Sequence, residues 1–199
     1  MNVVFDLGGV LLSWQPNGII EQVGEDPAAR AALTAGLFQH PDWLELDRGT
    51  LSYEAACSRA AERTGLAASR FHAALALVPD SLIVQHEVLE LVRETHRRGH
   101  RLFVLSNMHT PVARALEQRH DFWDLFSGIV FSCDVAAIKP EPAIYRHLLE
   151  NWSLEAQHTV FLDDNRPNVT GAIALGIDAI HFADVRQARS ELAQRQIVA

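Results

Sequence analysis

Four apolar stretches of this sequence end in polar side chains that could do chemistry together. Asn2 to Phe5 reads as a short buried strand and runs into Asp6, and Arg101 to Leu105 runs into Ser106. Val160 to Leu162 ends in the pair Asp163-Asp164, and Lys139 stands in the loop after the run Ile129 to Phe131. A carboxylate, a hydroxyl, an ammonium and an acidic pair can between them attack an electrophile, hold an anion and hold a cation. Two adjacent carboxylates repel each other unless a cation or a base is near, so Asp163-Asp164 is the most demanding of the four. Each residue has a plain use when alone: Asp6 or Ser106-Asn107 as a helix cap, Lys139 as surface charge. Their recurrence at strand ends makes a site, because an open parallel sheet binds ligands beyond the carboxyl ends of its strands.

The elements that must position them follow from the punctuation of the chain. Asp6 passes into Leu7-Gly8-Gly9-Val10, a strand end followed by a tight glycine turn. From Pro16 to Pro79 the pattern is helical, with Asp26-Pro27 as an N-cap and first-turn pair, Gly65 as a stop and Pro79 closing the run. Beyond it, helix and strand alternate. Gln85 to Arg98 is a helix stopped by Gly99; Thr110-Pro111 and Pro142 open two more; Asn168 to Leu175 is a fourth; and Asp178 to Phe182 is the last strand. Such alternation implies an α/β fold with a parallel sheet covered on both faces, three layers in all. The helical run is then an insertion, giving a core of residues 1–15 and 80–199 and a helical unit of residues 16–79.

The 48% of apolar residues suffices for a packed core, and a charge of −8 from scattered ionic residues argues against a nucleic-acid partner. The opening apolar residues carry no preceding positive charge and are interrupted by Asp6, so neither a signal peptide nor a membrane span is expected. Cys57 and Cys133 have no metal-ligand spacing, which suits reduced thiols and a cytoplasmic protein.

Four motifs resemble those of the haloacid dehalogenase superfamily, in that family's order: Phe5-Asp6-Leu7-Gly8-Gly9-Val10-Leu11, Leu105-Ser106-Asn107, Ala137-Ile138-Lys139-Pro140 with the helix after it, and Phe161-Leu162-Asp163-Asp164-Asn165. The match is most similar to the branch with bacterial glucose-1-phosphate phosphatases. It implies a Rossmann-like core with an inserted helical cap, and an Mg2+-dependent phosphatase acting through an aspartyl phosphate on Asp6. The resemblance places Mg2+ on Asp6, the Gly8 carbonyl and Asp164, with Asp163 in the next layer or reaching through water. Lys139 is implied to neutralise the nucleophile and the phosphoryl group, and Ser106 and the Asn107 backbone to hold a phosphate oxygen. The cap turn Gln39 to Trp43 is implied to set specificity, with Trp43 stacking on a sugar face and His40 or Asp42 bonding its hydroxyls; core packing is the other reading of Trp43 and of Trp14. His109 and His181 show no ligand-like spacing. The expected partner is a small phosphorylated metabolite such as a sugar phosphate, and the expected assembly a monomer or small homo-oligomer.

One position departs from the pattern. Most phosphatases of the superfamily carry a second Asp two residues after the nucleophile, as acid and base, and here that residue is Gly8. Dehalogenases of the superfamily also lack it but need no metal, so the acidic pair favours phosphate chemistry over that alternative. A phosphate-pocket protein that binds without turnover is another. If no acid replaces the missing one, rates should fall steeply as the leaving group becomes less acidic.

Overall fold

The computed structural model describes residues 1–199. In chain order the elements are β1 (Asn2–Phe5), five helices α1 (Pro16–Val23), α2 (Pro27–Leu33), α3 (Pro41–Arg48), α4 (Tyr53–Thr64) and α5 (Ala68–Ser81), then α6 (His86–Arg97), β2 (Arg101–Ser106), α7 (Thr110–Arg119), β3 (Gly128–Phe131), α8 (Ser132–Val135), α9 (Pro142–Asn151), β4 (Thr159–Asp163), α10 (Arg166–Ile173), β5 (Asp178–His181) and α11 (Val185–Gln194). All five strands are parallel, in the order β3-β2-β1-β4-β5. The chain leaves β1 on one side for β2 and β3 and crosses back for β4 and β5. β1 is therefore the strand at which the winding reverses, where a crevice opens beyond the carboxyl ends.

Register aligns the polar ends. Phe5 pairs with Val104 on one side and Leu162 on the other, so the next residue, Asp6, falls level with Leu105 and Asp163. Alternate residues face opposite layers. Val3, Phe5, Leu102, Val104, Val160 and Leu162 join one apolar cluster, and Val4, Phe103, Leu105 and Phe161 join another with Ile144, Tyr145 and Leu148 of α9. The first cluster continues without a break into the inserted helices through Leu11, Leu33, Leu37, Phe71 and Leu75. Helices α1 to α5 thus pack as one mass with the sheet layer beneath them.

Two local expectations need correction, and one further helix is present. Pro79 does not close the helical run: α5 continues to Ser81, because a proline in the last turn removes only one backbone donor, and Arg119 meets the Pro79 carbonyl, left open at the helix end, at 2.7 Å and the Asp80 carboxylate at 2.5 Å. Gln39 to Trp43 is a turn only at Gln39 and His40; His40 caps α3, Pro41 is its first residue, and Asp42 and Trp43 lie in its first turn. A final helix, α11, follows the last strand, capped by Asp184, whose Oδ1 accepts the Arg186 and Gln187 N–H groups at 2.8 Å each.

Candidate active site

Asp6, Ser106, Asn107, Lys139 and Asp164 line one cavity of about 290 Å³ together with Gly8. At its floor, Lys139 Nζ lies 2.8 Å from Asp6 Oδ1 and 2.6 Å from Asp163 Oδ2, and donates to the Leu105 carbonyl at 2.9 Å. All three donor directions of the ammonium are used, and both it and Asp163 are buried. Burial weakens the charged form of the lysine, but Asp6 and Asp163 outweigh this and the net shift is upward, so Lys139 stays an ammonium. Burial pushes the Asp6 carboxyl up, with Asp163 adding to the rise, while Lys139 and the Leu7 N–H, 2.7 Å from Oδ1, draw it down.

The lysine is held by its own backbone. The Asn107 side chain accepts from Lys139 N–H at 2.7 Å and donates to the Lys139 carbonyl at 3.0 Å, so β2 and the loop after α8 are joined across the sheet end. Asp163 is committed to architecture as well: its carboxylate takes Lys139, the Asn165 N–H at 2.8 Å and the Asn168 amide at 3.1 Å. It serves as anchor for the lysine. Asp164 is the exposed member of the pair, its carboxyl raised by burial and by Asp163, and its main-chain oxygen lies 2.9 Å from His181 Nε2.

Carboxylate oxygens of Asp6, Asp163 and Asp164 all lie within 4.8 Å of one another. An all-oxygen set beside a buried carboxylate suits a hard divalent cation. Gly9 makes room for it. Its φ is +81°, and a Cβ there would stand 2.2 Å from Asp164 Oδ2, so only glycine lets the carboxylate approach the turn. Gly8, by contrast, has no left-handed φ, and a Cβ on it would meet only Trp14, at 3.8 Å.

The cavity roof comes from the inserted helices. Trp43 joins Trp14, Phe38 and His109 in an aromatic wall, with ring centroids 5.7, 5.0 and 4.3 Å from its own. Trp14 and Trp43 line the cavity; His40 and Asp42 do not. The His40 ring caps α3 by accepting the Asp42 N–H at 3.1 Å, and Asp42 is buried against Arg63 at 2.9 Å and Arg59 at 3.4 Å. Two residues that sequence reasoning missed do line it: Asp47, at the end of α3, and His109. Asp47 Oδ1 is 3.3 Å from His109 Nε2, and Tyr53 Oη is 3.2 Å from His109 Nδ1. Burial drives His109 down to about 3, leaving a neutral ring, and drives Asp47 up to about 8 against the pull of Lys139.

A family model described as haloacid dehalogenase-like hydrolase matches residues 1–176. The chain belongs to the haloacid dehalogenase-like hydrolases. Among proteins similar to this hydrolase is a sesquiterpene phosphatase of Aspergillus oryzae, 28% identical over 191 residues that cover 96% of this chain and 94% of that one. A phosphoglycolate phosphatase of Pectobacterium atrosepticum is 26% identical over 89% of this chain and 78% of its own. Among solved structures, a haloacid dehalogenase family enzyme of Bacteroides thetaiotaomicron, in complex with magnesium and inorganic phosphate, superposes with a TM-score of 0.73 at 20% identity, covering 92% of this chain and 93% of that one. An L-2-haloacid dehalogenase of Xanthobacter autotrophicus shares the fold with a TM-score of 0.66 at 16% identity, covering 100% and 84%. No helix is long and apolar enough to cross a membrane.

Proposed function

We propose that this hydrolase is an Mg2+-dependent phosphatase that acts on a small phosphomonoester through an aspartyl phosphate on Asp6. The observation that carries the reading is the placing of Asp6 between Lys139, at 2.8 Å, and the carboxylate of Asp164, at the strand that reverses the winding of the sheet. Asp6, the Gly8 carbonyl and Asp164 would hold the ion, which supplies the positive charge that lets a carboxylate meet a phosphate dianion. Asp163 supports the set by fixing Lys139. Asp6 attacks phosphorus, Lys139 neutralises charge on the nucleophile and the equatorial oxygens, and Ser106 with the Asn107 backbone receives a phosphoryl oxygen. These are positioning and electrostatic roles, which dominate phosphoryl transfer.

A glucose 1-phosphate-like substrate follows from the sequence resemblance, with His40 and Asp42 bonding the sugar; their engagement in α3 and with arginines weighs against that part. Trp14, Trp43, Val78, Leu82, Met108 and Val112 supply most of the apolar part of the remaining cavity surface, beside the polar Asp47, His109, Asn165 and Asn168, which favours a largely apolar alcohol as leaving group. The name of the Aspergillus oryzae relative, a sesquiterpene phosphatase, points the same way. Turnover of an aryl phosphate, a sugar 1-phosphate and an isoprenyl monophosphate, each with Mg2+ and with excess chelator, tests the reading. Hydrolysis that is lost on chelation, restored by Mg2+ and fastest for the apolar ester is expected; full activity in chelator with halide release from a 2-haloacid would overturn it.

A further inference from the structure

The turn after β1 brings no acid to the departing oxygen, since residue 8 is glycine, yet the roof of the same cavity carries a carboxyl group. We propose that Asp47, reaching down from the inserted helices, is the proton donor and acceptor of the reaction; the assignment rests on the phosphatase reading above. Both Asp47 and His109 are buried, and they line the cavity with Asp6. His109 Nε2 is buried, and Asp47 Oδ1 lies 3.3 Å from it.

The proton inventory is consistent around the cluster. Burial holds the Tyr53 hydroxyl protonated, and in the tautomer where it donates to His109 Nδ1 the neutral ring carries its proton on Nε2, facing Asp47 Oδ1. Oδ1 is then an acceptor, and the proton of a neutral Asp47 belongs on Oδ2. Burial favours that neutral form at neutral pH. Position is fixed from below. Ser132, fully buried in the core, donates from Oγ to the Asp47 carbonyl at 2.5 Å and accepts the Met108 N–H at 2.8 Å, tying Asp47 and the residue before His109 to one hydroxyl. At Gly49 the approach is so close that a Cβ would stand 2.8 Å from the Cys133 carbonyl.

The step balances. Asp6 forms a bond to phosphorus as the ester P–O bond breaks, and the Asp47 proton passes to the leaving oxygen, releasing a neutral alcohol. The Asp47 carboxylate then takes a proton from water while its oxygen bonds to phosphorus and the Asp6 bond breaks, giving inorganic phosphate and restoring both residues.

Two measurements test this, both made on the full chain with Mg2+. In the wild type, the rate of phosphoenzyme formation across aryl and alkyl phosphates should depend only weakly on leaving-group pKa; a steep fall would overturn the assignment. In Asp47→Asn, phosphorylation by an alkyl phosphate should drop by ~100-fold to ~10,000-fold, the usual worth of a positioned acid. With 4-nitrophenyl phosphate the variant should still release a burst of one nitrophenolate per site at close to the wild-type rate, then stall for want of a base. Equal losses for both esters, or none for either, would overturn it, and a variant that does not fold leaves the wild-type series to decide. Absence of any phosphoenzyme in the wild type would instead remove the phosphatase reading and this assignment with it.

Discussion

Arg48 meets Glu141 through two parallel hydrogen bonds of 2.7 Å each, joining the last turn of α3 to the residue that precedes α9. This fork ties the roof of the cavity to the loop that carries Lys139, since Glu141 also accepts the Ile138 N–H at 3.3 Å. Arg48 is the main cause that holds the Glu141 carboxyl below the usual carboxylate range.

A carboxyl lowered by folding stabilises above its ordinary value and loses that contribution as pH falls through the lowered one. With the Glu141 side chain 40% exposed, the pair is worth about 1 kcal/mol or less after screening. Glu141→Gln should therefore lower the melting temperature by up to about 2–4 °C at neutral pH. The gap to wild type should close as the pH drops below the glutamate range. A gap that does not change with pH would show that charge is not its source.

The two glycines of the first turn should behave oppositely. Gly9→Ala forces a Cβ onto Asp164 and a left-handed φ onto alanine, so Mg2+ affinity and activity should both collapse. Gly8→Asp meets open space beside Trp14 and should fold normally. Titration of Mg2+ by calorimetry separates the two, and equal binding by both variants would contradict the geometry.

Lys139→Met leaves the buried carboxylates of Asp6 and Asp163 without their shared cation. Breaking a buried pair costs ~3–5 kcal/mol, which in a chain of this size is a melting temperature lower by about 6–20 °C. Thermal unfolding in chelator reads this directly. A melting point near that of the wild type would mean that the carboxylates do not depend on the lysine.

Trp43→Ala opens the apolar wall. The Michaelis constant for an isoprenyl phosphate should rise by about 10-fold, the equivalent of roughly 1.4 kcal/mol of lost contact, with less change for a small aryl phosphate. Equal changes for both, with a lower melting temperature, would make Trp43 a packing residue only.

The floor of the site could be read from the sequence because strand ends advertise themselves. Asp6, Ser106 and Asp163 each terminate an unbroken apolar run, and parallel pairing in register then forces them together. Asp47 and His109 carry no such mark. Asp47 is a polar residue near the end of an amphipathic helix, indistinguishable by period from a solvent-facing one, and it is buried where α3 docks on Ser132 and His109. His40 and Asp42 illustrate the converse: they stand beside Trp43 in sequence, but the first turn of a helix spreads its side chains around the axis, and theirs serve a cap and an ion pair.

The central claim is tested most directly by acid-quenching the working protein with substrate and Mg2+ and locating the phosphoryl group by mass spectrometry. The account predicts one phosphoryl group on the peptide that contains Asp6, absent from Asp6→Asn, whose turnover should be lost while its fold is retained. A phosphoryl group on another residue, or an Asp6→Asn protein with near-normal turnover, would contradict it.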